Sequence, residues 1–114
     1  MIKGIRGAST AGENTAESIR ETVLELLDSM IAANGIEKKN ISHVIFTLTK
    51  DLDAVFPAQF ARVELGWDDI AMMCFNELDV EGSLEKCLRV LIVLNCADDF
   101  VPRYVYLKDA AKLR

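Results

Sequence analysis

The sequence predicts a single α+β domain over residues 1–114, in which a mixed β-sheet is covered by helices. Three observations support this prediction. Five short segments are rich in apolar and β-branched residues, which is typical of strands. Two segments between the early strands have the spacing of amphipathic helices. The late strands follow one another too closely for crossover helices, which favours a mixed sheet with helices on one face.

The first strand and the first helix are predicted from local pattern. Residues 2–9 alternate enough to indicate a short strand, and the glycines within it suggest a bulge or a close backbone approach. Residues 15–34 carry apolar side chains at helical spacing. Asn14 or Thr15 can cap the start of this helix, and Gly35 can end it. This amphipathic helix is the expected cover of the sheet.

The remaining elements follow in a regular order. Residues 41–49 (ISHVIFTLT) indicate a second strand, and residues 57–65 indicate a short helix that begins with proline and ends before Gly66. A third strand is predicted at residues 70–77, and in it Met72 and Met73 are interpreted as core residues. From residue 84 onward the sequence indicates a fourth strand, or a helical turn that leads into it, and residues 104–107 indicate a fifth strand.

Composition limits the function. The net charge is −5, and a negative surface repels the phosphate backbone, so nucleic acid is not an expected partner. No apolar run approaches the length of about 20 residues that spans a bilayer, so no membrane is expected. The odd number of cysteines (Cys74, Cys87 and Cys96) and the lack of a signal-peptide pattern favour the cytoplasm.

An arginine interrupts the apolar run at residues 87–94, which has the length and composition of a buried strand. Arg89 cannot lose its charge, and an unpaired buried charge costs several kcal/mol, so its side chain must either reach solvent or have an anion beside it. Glu77 is one candidate, and an anionic ligand is another. Other arginines in ordered settings could converge on the same ligand, namely Arg6, Arg62 and Arg114.

The sequence contains no motif for a nucleotide, a metal or a covalent intermediate. P-loop, GxGxxG, CxxC and HExxH patterns are missing, and the only histidine, His43, has no acidic or cysteine neighbour at ligand spacing. We therefore expect no cofactor and no metal. Cys74 and Glu77 are three residues apart, so they line one pocket only if the strand ends or bulges between them.

Several blocks of residues resemble the AroH-class chorismate mutases, the monofunctional trimeric class. They occur in order across nearly the whole chain. The blocks are Gly4-Ile5-Arg6-Gly7-Ala8, the segment DLDAVFPA at residues 51–58, Cys74 with Glu77 and Gly82, Lys86-Cys87-Leu88-Arg89-Val90, Val105-Tyr106-Leu107, and Leu113-Arg114.

The resemblance implies both an architecture and a reaction. It implies a homotrimeric pseudo-α/β-barrel with sheets inside, helices outside and active sites between subunits. It also implies the pericyclic Claisen rearrangement of chorismate to prephenate in phenylalanine and tyrosine biosynthesis. Such a reaction needs no metal, nucleophile or proton transfer, which agrees with the motifs that are missing.

The resemblance also assigns the catalytic residues. Arg89 is similar to the family's central cation, which bonds the ether oxygen as negative charge develops there. Arg6 would bind a carboxylate, and Tyr106 would add a hydroxyl donor. Glu77 and Cys74 would hold the ring hydroxyl.

Further residues are implied to bind the substrate. Phe56 would pack against the ring and favour its compact reactive conformer, whereas Arg62, Leu113 and Arg114 would guard the entrance. Gln59 stands where a family member has lysine near the cleft mouth, which implies a weaker attraction for the dianion. The chain ends at Arg114, where relatives can continue with a tail that closes over the ligand.

Three other functions fit the same arginines. One is a non-catalytic carboxylate-binding regulatory module for an aromatic-pathway metabolite. Another is a different enzyme on a similar trimeric scaffold, such as an imine deaminase. The third is an interaction domain whose arginine lies on an edge strand.

Overall fold

A five-stranded sheet forms the centre of the computed structural model, which describes residues 1–113. The strands are β1 (Ile2–Thr10), β2 (Ile41–Leu48), β3 (Ala71–Asn76), β4 (Cys87–Asn95) and β5 (Val105–Tyr106), in the order β3-β2-β4-β1-β5. β4 is antiparallel to β1 and β2, whereas β1 with β5 and β2 with β3 are parallel. The predicted mixed sheet is therefore confirmed.

Two α-helices cover one face of this sheet. They are α1 (Ala16–Asn34) and α2 (Ala58–Glu64), and short 3₁₀ helices at Lys38–Asn40 and Lys108–Leu113 were not predicted. The Thr15 hydroxyl caps α1 by accepting a hydrogen bond from the Ser18 N–H, and Gly35 ends it at φ +60°. Within the described part of the chain, no helix is long and apolar enough to cross a membrane.

The two faces of the sheet differ in their surroundings. The covered face packs on α1 and α2, and its β4 residues Leu88, Val90, Ile92 and Leu94 are buried. Among residues 1–113 no α-helix covers the open face, although the C-terminal 3₁₀ helix reaches the edge of a cavity there through Leu113. The open face carries Arg6, Ala8, Ile45, Thr47, Met73, Phe75, Arg89, Leu91, Val93 and Tyr106, which the strand register places side by side.

The expectation that Arg89 lies in a fully buried strand is wrong for this chain. Its side chain is 46% exposed, because it points to the open face while Leu88 and Val90 point into the core. The interpretation of Met73 as a core residue is wrong for the same reason, because Met73 lies on the open face and is 61% exposed. Met72 points the other way and packs against the core as predicted.

The boundaries of the last two strands also differ from the prediction. Residues 77–86 form a loop, so β4 begins at Cys87 and not near Leu84, and β5 is only two residues long. The Asp51 carboxylate accepts hydrogen bonds from the Lys86 N–H, at 2.9 Å, and from the Thr49 hydroxyl. The Thr49 hydroxyl in turn accepts from the Cys87 N–H at 3.0 Å. These bonds fix the point at which β4 starts, two residues before Arg89.

At Gly7, β1 lies close to the Met30 side chain of α1, and this close approach yields a stability prediction. A Cβ at this position would lie 2.3 Å from Met30 Sδ, and Met30 is fully buried. We expect Gly7→Ala to lower the free energy of unfolding by about 1–3 kcal/mol, because the core must shift to admit the methyl group. Urea denaturation at one fixed protein concentration measures this change. Gly12→Ala is the control, since its new Cβ would have only Ser18 Oγ within 4.0 Å; equal losses in both variants would contradict the prediction.

Asp51 yields a second prediction, which concerns how the free energy of unfolding depends on pH. Burial opposes ionisation of this carboxyl, but hydrogen bonds from Thr49 and from the Lys86 backbone outweigh it and lower the pKa of Asp51 from its usual value. A depressed folded-state pKa stabilises the fold above the unfolded pKa and loses that contribution as the pH falls through the folded value. We expect Asp51→Asn to lose about 1–2 kcal/mol of unfolding free energy at pH 7, a moderate value because the site is partly exposed.

The difference between wild type and Asp51→Asn should shrink as the pH falls below about 4, where the carboxyl of the unfolded chain gains its proton, and continue to shrink until the folded chain gains it at a lower pH. Chemical denaturation at a series of pH values measures it. Asp98→Asn, at an exposed loop carboxyl, is the matched control. A difference that stays constant down to pH 2 would show that the Asp51 charge is not what holds the start of β4.

Candidate active site

A cavity of about 310 Å³ on the open face gathers five of the predicted site residues. Arg6 comes from β1, Arg89 from β4, Tyr106 from β5, Glu77 from the loop after β3, and Leu113 from the C-terminal 3₁₀ helix. The chain thus brings two cations, one carboxylate and one phenol to the same concave surface.

The strand register explains this convergence. Thr47 pairs with Arg89, Arg89 with Ala8, and Ala8 with Tyr106, so the four residues form one row across β2, β4, β1 and β5. Neighbouring strands lie about 4.8 Å apart, which leaves two strand spacings between Arg89 and Tyr106. Ala8 lies between them with only a methyl group. Ala8 is therefore the part of the cavity lining that lies between these two side chains.

Arg89 is held by an ion pair. Its Nε lies 3.4 Å from Glu77 Oε2, and the same oxygen accepts a hydrogen bond from the Thr47 hydroxyl at 2.6 Å. The Glu77 N–H donates to the carbonyl of Leu48 at 2.8 Å, which brings the chain back to the open face after β3. Such a partly exposed pair adds only about 0–1 kcal/mol to stability. Its main effect is to orient the guanidinium.

A thiol lies next to this cation but does not neutralise it. Cys87 is buried, and burial raises the pKa of its thiol, although the Arg89 guanidinium opposes this shift. The thiol is thus uncharged at neutral pH. Arg89 keeps its positive charge available to a ligand.

Among the side chains that the structure describes, Arg6 is held by an aromatic ring and not by an ion pair. Its Cζ lies over the ring of Tyr104, 4.6 Å from the ring centroid. Among residues 1–113 it forms no ion pair with a carboxylate. Its N–H groups can therefore bind an anionic ligand without first releasing a protein carboxylate.

The other predicted residues lie elsewhere on the chain. Phe56, Arg62 and Cys74 line a second cavity of about 250 Å³ between α2 and β3, together with Gln59. Phe56 is 72% exposed. Burial raises the pKa of the Cys74 thiol, so it acts as a neutral group.

Cys74 and Glu77 therefore do not line the same cavity within one chain. Strand alternation places Cys74 on the covered side of β3, whereas Glu77, just after the strand ends at Asn76, lies on the open face. The predicted pairing of these two side chains on one hydroxyl is not formed by a single chain. Arg114 was also predicted at the site and lies outside the described residues.

Among the residues near the open-face cavity that were not predicted as site residues, Ala8 and Thr47 line it and Tyr104 contacts Arg6. Alternation within β2 could have placed Thr47 on one face with Ile45. Tyr104 lies two residues before Tyr106, so the same rule could have found it. No local signal indicates which residues of β1 pair with β4 and β5.

The cavity is suited to an anionic ligand with hydroxyl or ether oxygens. Two guanidinium groups supply hydrogen-bond donors in a planar fork, and Glu77 supplies an acceptor. Within residues 1–113, no group of three or more His, Cys, Asp or Glu side chains could hold a metal ion.

Comparison with known proteins identifies the relatives of this chain. The family described as chorismate mutase type I matches residues 2–114. Chorismate mutase AroH of Thermus thermophilus is 43% identical, covering all of this chain and 94% of the relative. Chorismate mutase AroH of Bacillus subtilis (strain 168) is 37% identical, covering all of this chain and 91% of the relative. A solved chorismate mutase from Clostridium thermocellum, 48% identical, superposes with a TM-score of 0.91 over 96% of this chain and 98% of that one.

Proposed function

This chain belongs to the chorismate mutase type I family, and from that premise we propose how its two groups of site residues perform the reaction. The chain is a chorismate mutase, an isomerase. The rearrangement of chorismate to prephenate breaks one C–O bond and forms one C–C bond within the same molecule. No proton, electron or external group is transferred, so the protein acts through binding and electrostatics.

The observation that carries the proposal is the convergence of Arg6, Arg89 and Glu77 on one cavity. Chorismate is a dicarboxylate that also carries a hydroxyl and an ether oxygen. Two guanidinium groups match its negative charges, and one carboxylate matches its hydroxyl. A regulatory module could use the same contacts, but the family and the relatives support the mutase.

Arg89 carries the electrostatic part of the mechanism. As the ether C–O bond breaks, negative charge grows on the oxygen, and a cation fixed beside it stabilises the transition state more than the substrate. The Glu77 contact uses Nε of Arg89. The two terminal nitrogens of the guanidinium are then directed to the ether oxygen and a carboxylate.

The remaining groups of the open-face cavity fix the substrate. Arg6 binds a carboxylate, Tyr106 donates its hydroxyl, and Leu113 covers the edge of the site. The two contacts that Glu77 makes with Thr47 and Arg89 both use Oε2. Its Oε1 accepts the hydrogen bond from the ring hydroxyl.

Phe56, Arg62 and Cys74 belong to the same site in the assembled enzyme but come from a neighbouring chain. In this proposal the protein is a homotrimer with sites between subunits. Its support is that the two groups line separate cavities of one chain. The open face also exposes apolar side chains such as Ile2, Met73 and Phe75, as an interface would. Phe56 of the neighbour then packs on the ring, while Arg62 lies near the entrance.

We place the enzyme in the cytoplasm. All three cysteines are free thiols, which agrees with a reducing compartment.

Removal of the Arg89 charge tests the mechanism. We expect Arg89→Ala, or a neutral isostere of arginine, to lower kcat/KM for chorismate by about 100- to 1,000-fold, because one preorganised donor to a developing anion is worth about 3–4 kcal/mol. Loss of chorismate absorbance measures turnover, and circular dichroism checks the fold. Arg20→Ala is the matched control, because this arginine pairs with Glu64 on the helical side of the chain. Wild-type turnover by Arg89→Ala would refute the assignment.

Mixed trimers test the shared site. Arg89→Ala removes the cation from the open-face group, and Arg62→Glu makes the other group repel the dianion. Each variant alone should have little activity. When the two are co-expressed, the variants should assort at random at each interface. About a quarter of the sites should then combine the wild-type group of one variant with the wild-type group of the other and regain activity.

Mass measurement must first show that mixed trimers form. Trimers without regained activity would mean that each site is built within one chain. A stable and active monomer would also contradict the shared site.

A further inference from the structure

Tyr104 makes a contact with Arg6 that the mechanism above does not use. Arg6 Cζ lies over the Tyr104 ring at 4.6 Å from the centroid. Both side chains are exposed in the single chain. Tyr104 precedes β5 and does not line the open-face cavity, whereas Tyr106 does. Tyr106 is therefore part of the cavity lining, whereas Tyr104 is connected to the site through its contact with Arg6.

The backbone around Tyr104 is fixed from both sides. The side-chain amide of Asn34, the last residue of α1, accepts a hydrogen bond from the Arg103 N–H at 2.7 Å and donates one to the Arg103 carbonyl at 2.9 Å. After Tyr104, β5 pairs with β1, and the Leu107 N–H donates to the Ala8 carbonyl at 2.9 Å. The ring is thus attached to a segment with defined position relative to Arg6.

An aromatic ring can orient a cation without neutralising it. A carboxylate beside Arg6 would occupy its N–H donors and would compete with a substrate carboxylate. A ring face attracts the guanidinium through its quadrupole and leaves the hydrogen-bond donors for the ligand. Such a contact also limits the rotamers of a long side chain, so less freedom is lost when the ligand binds.

We propose that Tyr104 is a positioning residue that holds Arg6 in its substrate-binding orientation through the face of its ring. The proposal rests on the carboxylate-binding role of Arg6 proposed above. The phenol hydroxyl of Tyr104 has no part in it. The expected size is that of an exposed cation–ring contact, about a two- to fivefold change in binding.

Two substitutions at one position separate the ring from the hydroxyl. Tyr104→Leu should raise KM for chorismate about two- to fivefold with kcat close to the wild-type value, because a carboxylate contact is made in the substrate and in the transition state alike. Tyr104→Phe keeps the ring and should match the wild type. If Tyr104→Phe behaves like Tyr104→Leu, or if Tyr104→Leu leaves KM unchanged, the proposal is overturned.

The same pair of variants in an Arg6→Ala background tests whether the effect passes through Arg6. There, Tyr104→Leu should cause no further rise in KM, whereas a general loss of structure would lower activity in both backgrounds. A full additional effect without Arg6 overturns the proposal. Arg6→Ala alone tests the proposed function: wild-type KM in that variant would remove the role of Arg6 itself. A raised KM in Arg6→Ala, together with an unchanged KM when Tyr104→Leu is made in the wild-type background, would remove only the role of Tyr104.

Discussion

The register of β4 between β1 and β2 is the constraint on which the site depends. A shift of one residue would move Arg89 to the covered face and place its charge in the core without a partner. The same shift would expose Leu88, Val90 and Ile92, which are buried against the helices. The apolar packing of one face therefore determines where the cation lies on the other. Thr47, Ala8 and Tyr106 take their places beside Arg89 through that same hydrogen-bonded register.

Much of the fold could be predicted because its signals are local. The cap at Thr15, the stop at Gly35 and the proline before α2 each act within a few residues. The prediction failed where apolar residues occupy both faces of a strand. Leu91 and Val93 lie on the open face, so the alternation that would have marked Arg89 as outward-facing is hidden. An apolar pattern shows that a side chain favours a dry environment, but not whether the cover belongs to the same chain.

The site was predictable only in part, and for a different reason. Family resemblance supplied the residues, and the structure of one chain brings five of them to one cavity. Thr47 and Ala8 were not predicted as site residues, because a threonine and an alanine in strands have no distinctive chemistry by themselves. Their importance arises from pairings between distant segments, and no residue encodes its partner. Arg6 illustrates the same limit, since its contact with Tyr104 joins residues separated by almost the whole chain.

The position of β1 has a consequence for the order in which the chain folds. β1 is made first, yet both of its hydrogen-bonded neighbours, β4 and β5, lie beyond residue 86. Until those residues leave the ribosome, β1 has two unpaired edges, while α1 can already form from local contacts. Pairing over such sequence separations is slow, because loop closure must precede the contacts that reward it. Arg6 and Tyr106 thus become neighbours late, and the open-face cavity that they line is among the last parts of the newly made chain to form.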